Sequence, residues 1–193
     1  MSSFLTQDDL KKLGLGSFGS NVFVSKFANL YNASEIHLGS NVRIDDFCIL
    51  SAGKEGIHID NYVHIGCYSS LIGQAKISVS SFANISTKVS IFSSSDDFSG
   101  FSLTNPMIDD NYKLLNHAPV TIDKHVIIGT NSTVLPGVHL EKGSAVGAHS
   151  LIKNSSSPFQ IYAGVPARRV GSRSDNITNL EKKFLKNEQN FFY

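Results

Sequence analysis

Ile59-Asp60-Asn61-Tyr62-Val63-His64-Ile65-Gly66-Cys67-Tyr68-Ser69-Ser70-Leu71 places an aliphatic residue at every sixth position. The beat extends in both directions. Upstream it falls on Leu38, Ile44 and Leu50, with a weaker round at Phe18, Val24 and Leu30. Downstream it falls on Val79, Ile85 and Ile91, then Ile122, Ile128 and Val134, and last Leu140, Val146 and Ile152. A hexad of this kind marks a parallel β-helix. Six extended residues cover roughly 20 Å, one side of a triangular prism, so three hexads make a coil. The aliphatic residue points to the axis. A second inward position falls four residues later, at Val42, Cys48, Val63, Ala83, Val89, Val126 and Val138. Gly, Asp or Ser after the aliphatic residue suits a corner where the backbone turns sharply. No coil can bury its inner face alone, so neighbours must stack.

The expected fold is all-β, a single β-helix of about six coils over 18–170. The beat lapses from Phe92 to Pro119, which predicts an extruded loop over 92–119. Loops this long in a compact domain are usually functional. Two segments flank the prism. Residues 1–17 carry a short capped helix around Thr6 to Leu13. Residues 171–193 carry an amphipathic helix, Ile177 to Phe192, with Leu180, Phe184 and Leu185 on one face. Both are read as caps over the open prism ends.

Composition narrows the partners. A net charge of +1 over 193 residues, without a basic run, argues against nucleic acid. No stretch has the length and apolarity of a membrane span, and no signal-peptide pattern opens the chain. A cytoplasmic protein is expected. Cys48 and Cys67 lack metal-ligand spacing and read as free thiols.

Several segments carry a family resemblance: Ile128-Gly129-Thr130-Asn131-Ser132, Leu135-Pro136-Gly137-Val138, Ala145-Val146-Gly147-Ala148 and Tyr162-Ala163-Gly164-Val165-Pro166-Ala167-Arg168-Arg169. In these the sequence resembles the left-handed hexapeptide-repeat acyltransferases, and the last segment resembles their sugar and xenobiotic branch. The left hand comes from the resemblance alone, because ordinary crossover rules favour the right. The resemblance implies a homotrimer with active sites between subunits and acetyl-CoA as acyl donor. It places the pantetheine arm along Gly129, Thr130, Gly147 and Ala148, and the CoA phosphates near Lys153, Arg168 and Arg169. No metal is expected. A zinc site of the kind found in β-helical carbonic anhydrases needs histidines stacked on adjacent coils, and His37, His58 and His64 do not share one hexad position.

The resemblance also implies a catalytic histidine just past the third strand of a coil, where Asp96 stands here. Three arrangements are open. Asp96 is the base, its pKa raised by Asp97. Or Asp96 orients His117, which the loop brings in. Or the acceptor is an amine whose ammonium form Asp96 binds. His64 and Asn84 fall in one outward column with Arg43 and are acceptor-binding candidates, as is Phe98 for stacking on a sugar. His125, His139 and His149 are expected on outer faces. The resemblance implies an O-acetyltransferase for a sugar hydroxyl in O-antigen, capsule or exopolysaccharide assembly. The alternatives are an N-acetyltransferase for a nucleotide-linked amino sugar and a non-catalytic scaffold.

Overall fold

The computed structural model describes residues 3–190. Its core is a stack of parallel coils whose strands form three faces. The first face holds Ser17–Phe18, Ile36–Leu38, Ile57–Ile59, Ile77–Val79, Val120–Ile122 and His139–Leu140. The second begins with Phe23–Val24 and Arg43–Ile44, continues through His64–Ile65 and Asn84–Ile85, and ends its repeat with Ile127–Ile128 and Ala145–Val146. The third runs from Asn29–Tyr31 to Leu151–Ile152. The six expected coils are present, and Gln160–Gly164 adds a partial seventh on the second face.

The hexad positions explain the register. Ile44, Ile65, Ile85, Ile128 and Val146 stand directly above one another, and all are buried. Val42, Cys48, Val63, Ala83, Val89, Val126 and Val138 are also buried. Each fully buried aliphatic side chain contributes roughly 1.5–3 kcal/mol. At later inward positions a serine replaces the small apolar residue and binds backbone: Ser132 Oγ donates to Gly147 O at 3.0 Å, and Ser150 Oγ to the same oxygen at 2.7 Å.

The corners differ from expectation. The turn falls on the third residue after the aliphatic one, where φ is positive: Asn41, Phe47, Tyr62, Tyr68, Phe82, Lys88, His125, Asn131 and His149. Such φ values cost a non-glycine residue about 1–2 kcal/mol. Ring stacking offsets part of this. Phe27, Phe47 and Tyr68 stack along one corner, and Tyr62, Phe82 and His125 along another. The glycines after the aliphatic residues serve close approach instead. A Cβ on Gly129 would lie 2.6 Å from Ala148 N, and one on Gly66 2.8 Å from Thr87 N.

Helix α1 (Gln7–Lys12) is capped as expected. Thr6 Oγ1 accepts from Asp9 N at 3.2 Å, and Asp9 Oδ2 accepts from Thr6 N at 3.1 Å. Its Leu10 is fully buried in the core cluster. Helix α2 (Ile177–Asn190) is present, but it does not cap an end; Phe191 and Phe192 lie outside the described residues. It lies along the corner of Tyr62, Phe82 and His125. The C-terminal edge is instead finished by Ala167–Ser172, which pairs antiparallel with Gln160–Gly164. Cys48 and Cys67 are free thiols. No helix among the described residues is long and apolar enough to cross a membrane.

Candidate active site at the base of the extruded loop

The loop leaves and rejoins the prism through a two-strand ribbon, Ser94–Ser95 against Asn116–His117. Buried Ser93 anchors it: its Oγ donates to Ala75 O at 2.6 Å, and its carbonyl accepts from Ala118 N at 3.0 Å. This ribbon brings together residues 23 apart in sequence. Ser94 Oγ accepts from Gln74 N at 2.7 Å and meets His117 Nδ1 at 2.8 Å. Either atom of this contact can donate, since the Ser94 hydroxyl keeps a second lone pair after accepting from Gln74, and the bond fixes the orientation of the His117 ring.

Asp96 follows the ribbon and is exposed; its Oδ1 accepts weakly from Asn105 N at 3.4 Å. Asp96 and His117 line the same hollows, one of about 220 Å³ with Ser51, Gln74 and Leu115, and one of about 530 Å³ with Asn105, Asp110 and Lys113. The two side chains share the space, and the ring is held by Ser94 and not by Asp96.

Asp97 is corrected as a catalytic candidate. Its Oδ1 accepts from Ser99 N at 2.8 Å and Ser99 Oγ at 2.6 Å, and its Oδ2 accepts from Ser102 N at 2.9 Å and Ser102 Oγ at 3.2 Å. The Ser99 hydroxyl, then the backbone bonds, drive its pKa down to about 2. It staples the loop and is unsuited to act as a base. Phe98 is 94% exposed and borders a hollow of about 350 Å³ with Asp96 and Leu114. Sequence reading missed Lys113, whose ammonium sits in the larger hollow. The loop carries no periodicity that could have pointed to it.

The second-face column forms as expected: Arg43, His64 and Asn84 are in register. His64 Nε2 donates to Asp45 Oδ2 at 2.8 Å, Nδ1 faces Asn84 Oδ1 at 3.1 Å, and Arg43 Nε donates to Asp45 Oδ1 at 2.7 Å. Burial works against the charged form of Asp45, but the His64 and Arg43 bonds outweigh it and lower its pKa.

Toward the C-terminal end, Lys153, Arg168 and Arg169 border a hollow of about 220 Å³ with Asn154, Ser155 and Tyr162. No carboxylate pairs with these three cations among the described residues. Arg169 is held by Gln160 and by Ser172 Oγ. Thr130 turns its hydroxyl onto Thr87 O at 2.7 Å. Ala148 is exposed, Gly147 half-buried, and both lie on the corner one coil above Thr130.

His125 departs from the outer-face expectation. It is 3% exposed, because α2 covers it and Glu181 Oε2 accepts from its Nε2 at 2.7 Å. Three His, Cys, Asp or Glu side chains do not converge as a metal site among the described residues.

The molecule is thus a β-helical prism with an extruded loop over a polar hollow and, apart from it, a cluster of cations without a carboxylate partner among the described residues. No protein-family model matches the chain. It is 44% identical over 182 residues to dTDP-4-amino-4,6-dideoxy-D-glucose acyltransferase of Escherichia coli, covering 94% of this chain and 95% of that one. The structure of AntD, an N-acyltransferase from Bacillus cereus in complex with dTDP and 3-hydroxybutyryl-CoA, matches with a TM-score of 0.93 and 45% identity, covering 98% and 100% of the two chains. Further structures of that enzyme carry replacements of a serine or of an aspartate ten residues on. The protein named "Putative lipopolysaccharide biosynthesis O-acetyl transferase WbbJ" of Escherichia coli is 31% identical over 61% of this chain and 58% of its own. The chain belongs to the hexapeptide-repeat acyltransferase family.

Proposed function

We propose that this protein transfers an acyl group from a coenzyme A thioester to the amino group of a nucleotide-linked amino sugar, of the dTDP-4-amino-4,6-dideoxyglucose type. The observation that carries this reading is Asp96, an exposed carboxylate lining the hollow with no cation paired to it among the described residues. An alcohol acceptor needs a base in the transition state. Asp97 is spent on the loop, and His117 Nδ1 is engaged by Ser94 Oγ. An amine needs binding and orientation more than it needs a base, and a carboxylate supplies both through a charge-assisted hydrogen bond. The bound ammonium first gives one proton to solvent; the neutral amine then attacks the thioester carbonyl, the N–C bond forms, the C–S bond breaks, and the second proton lost by nitrogen balances the thiolate as coenzyme A thiol. The similarity to the two amino-sugar acyltransferases across nearly the whole chain supports the amine over the hydroxyl reading.

Ser86 stands ten residues before Asp96, the spacing of the two residues replaced in the Bacillus enzyme. One strand of the third face lies between them, a separation of roughly 20 Å along a prism side. A site shared between neighbouring copies would bring one of each together. This supports a homotrimer with sites between subunits, and a donor laid along Gly129, Thr130, Gly147 and Ala148 with its phosphates at Lys153, Arg168 and Arg169.

The test is thiol release from acetyl-CoA and 3-hydroxybutyryl-CoA with dTDP-4-amino-4,6-dideoxyglucose, and with dTDP-glucose as the hydroxyl counterpart, the products identified by mass spectrometry. Amide formation with the amino sugar alone is expected. Asp96→Asn should lower kcat/KM by roughly 10- to 100-fold, the loss of one charged hydrogen bond. Ester formation on dTDP-glucose at a comparable rate would overturn the reading.

A further inference from the structure

The hollow beneath the loop holds a charge that the amine reaction leaves unused. Lys113 Nζ binds Asp110 Oδ1 at 2.8 Å, with the lysine side chain only 8% exposed and the aspartate 92% exposed. Lysine is rarely covered to this extent, and a pair whose acid stands in water contributes little to stability. The loop itself holds the lysine in place: Leu103 bridges to Lys113, and Lys113 N donates to Asp110 O at 3.2 Å. An ammonium has three donors, and Asp110 occupies one of them. Among the described residues lining the three hollows around Asp96, no other Lys or Arg is present.

We propose that Lys113 receives the diphosphate of the nucleotide-linked acceptor, while Asp96 receives the amine in the same hollow. The assignment rests on the amino-sugar reading above and names the residue that would make the enzyme select a nucleotide-linked sugar over a free one. An acceptor carrying a cation at one end and a diphosphate at the other needs one acid and one base spaced within a single cavity. The hollow of about 530 Å³ contains that pair and is within the size range of small-molecule sites. The donor's phosphates have their own cations at Lys153, Arg168 and Arg169, which border a separate hollow. Binding exchanges one anion for another: Asp110 swings into water, where it already stands, and the phosphate takes its place on the ammonium. Without Lys113 that hollow has no Lys or Arg among its described lining residues, while the carboxylates of Asp96 and Asp110 remain.

The experiment titrates dTDP and, separately, CoA into the full-length protein by calorimetry, for wild type, Lys113→Met, Lys113→Arg and Asp110→Asn. Lys113→Met should weaken dTDP binding by about tenfold or more and leave CoA binding unchanged, as expected for loss of a charge-assisted phosphate contact. It should raise KM for the nucleotide amino sugar with kcat little changed. Lys113→Arg should recover most of the affinity. Asp110→Asn, which removes the competing anion, should bind dTDP at least as tightly as wild type. Equal dTDP affinity in wild type and Lys113→Met would overturn the assignment, as would a wild type that does not bind dTDP. A loss in Asp110→Asn matching that in Lys113→Met would make the ion pair a mere loop brace. Loss of CoA affinity in place of dTDP affinity would hand Lys113 to the donor. A wild type that binds dTDP through Lys113 yet forms no amide would sink the amine chemistry and leave this assignment standing.

Discussion

Asp96 and Asp97 are neighbours in sequence and opposites in environment. The first keeps its carboxylate open to a hollow; the second gives both oxygens to Ser99 and Ser102. That difference carries a pH signature. The Asp97 pKa is held at about 2 in the folded loop, against an ordinary value near 3.9. A depressed pKa means that the folded loop prefers the charged carboxylate. Its contribution to loop order is complete above about pH 4 and is lost as pH falls toward 2. Amide exchange at Ser99 and Ser102 followed by NMR should show wild type better protected than Asp97→Asn at neutral pH. That advantage should vanish between pH 4 and 2. An advantage that persists at pH 2 would show that the serines are held by something else.

Helix α2 is fastened to its corner by charge as much as by apolar contact. Glu181, 12% exposed, binds Lys124 Nζ at 2.5 Å and His125 Nε2 at 2.7 Å. Burial opposes its ionised form, but the Lys124 and His125 bonds outweigh that and lower its pKa. Glu188 accepts from the Tyr62 hydroxyl further along. Arg173, just before the helix, donates from one nitrogen to His125 O, Gly143 O and Ser144 O at 2.7–3.2 Å. Removing Glu181 leaves the buried His125 Nε2 without its partner, at a cost of about 1–3 kcal/mol. Glu181→Ala should therefore release α2 without unwinding the prism. Hydrogen exchange should speed up by roughly 10-fold or more in 177–188 and stay slow in strands such as Asn84–Ile85. Unchanged protection of the helix would mean that Leu180 and Phe184 hold it unaided.

At the scale of the whole molecule, stability comes from stacking. Each coil touches only its neighbours, so a cavity in a central coil weakens both flanking interfaces. Ile85 is fully buried and in register with Ile65 below and Ile128 above. Ile85→Ala should cost about 2–5 kcal/mol, read as a lower urea midpoint. The same layout separates the ligand regions. The loop hollow lies at an edge of the third face, and the cations lie at the seventh, partial coil.

The sequence by itself determined the prism. Its period is a local property of extended chain, and an aliphatic residue recurring every six positions can be buried in few other ways. Coil number, loop position, the capped helix α1 and the second inward position were all readable on those terms. Asp96 was reached through the family resemblance, which implies a catalytic residue just past the third strand of a coil. Only the tertiary structure decided which corner residue takes positive φ, since that depends on how three faces close. It decided that Gly129 is small because the next coil's backbone lies against it, a close approach invisible along one strand. It buried His125 beneath a glutamate 56 residues away, and it turned Asp97 inward to its serines. Within an aperiodic loop it set Lys113 opposite Asp110 and into the hollow of Asp96. No repeat constrains that segment, so its side chains find their partners only after the prism has fixed the two ends of the loop.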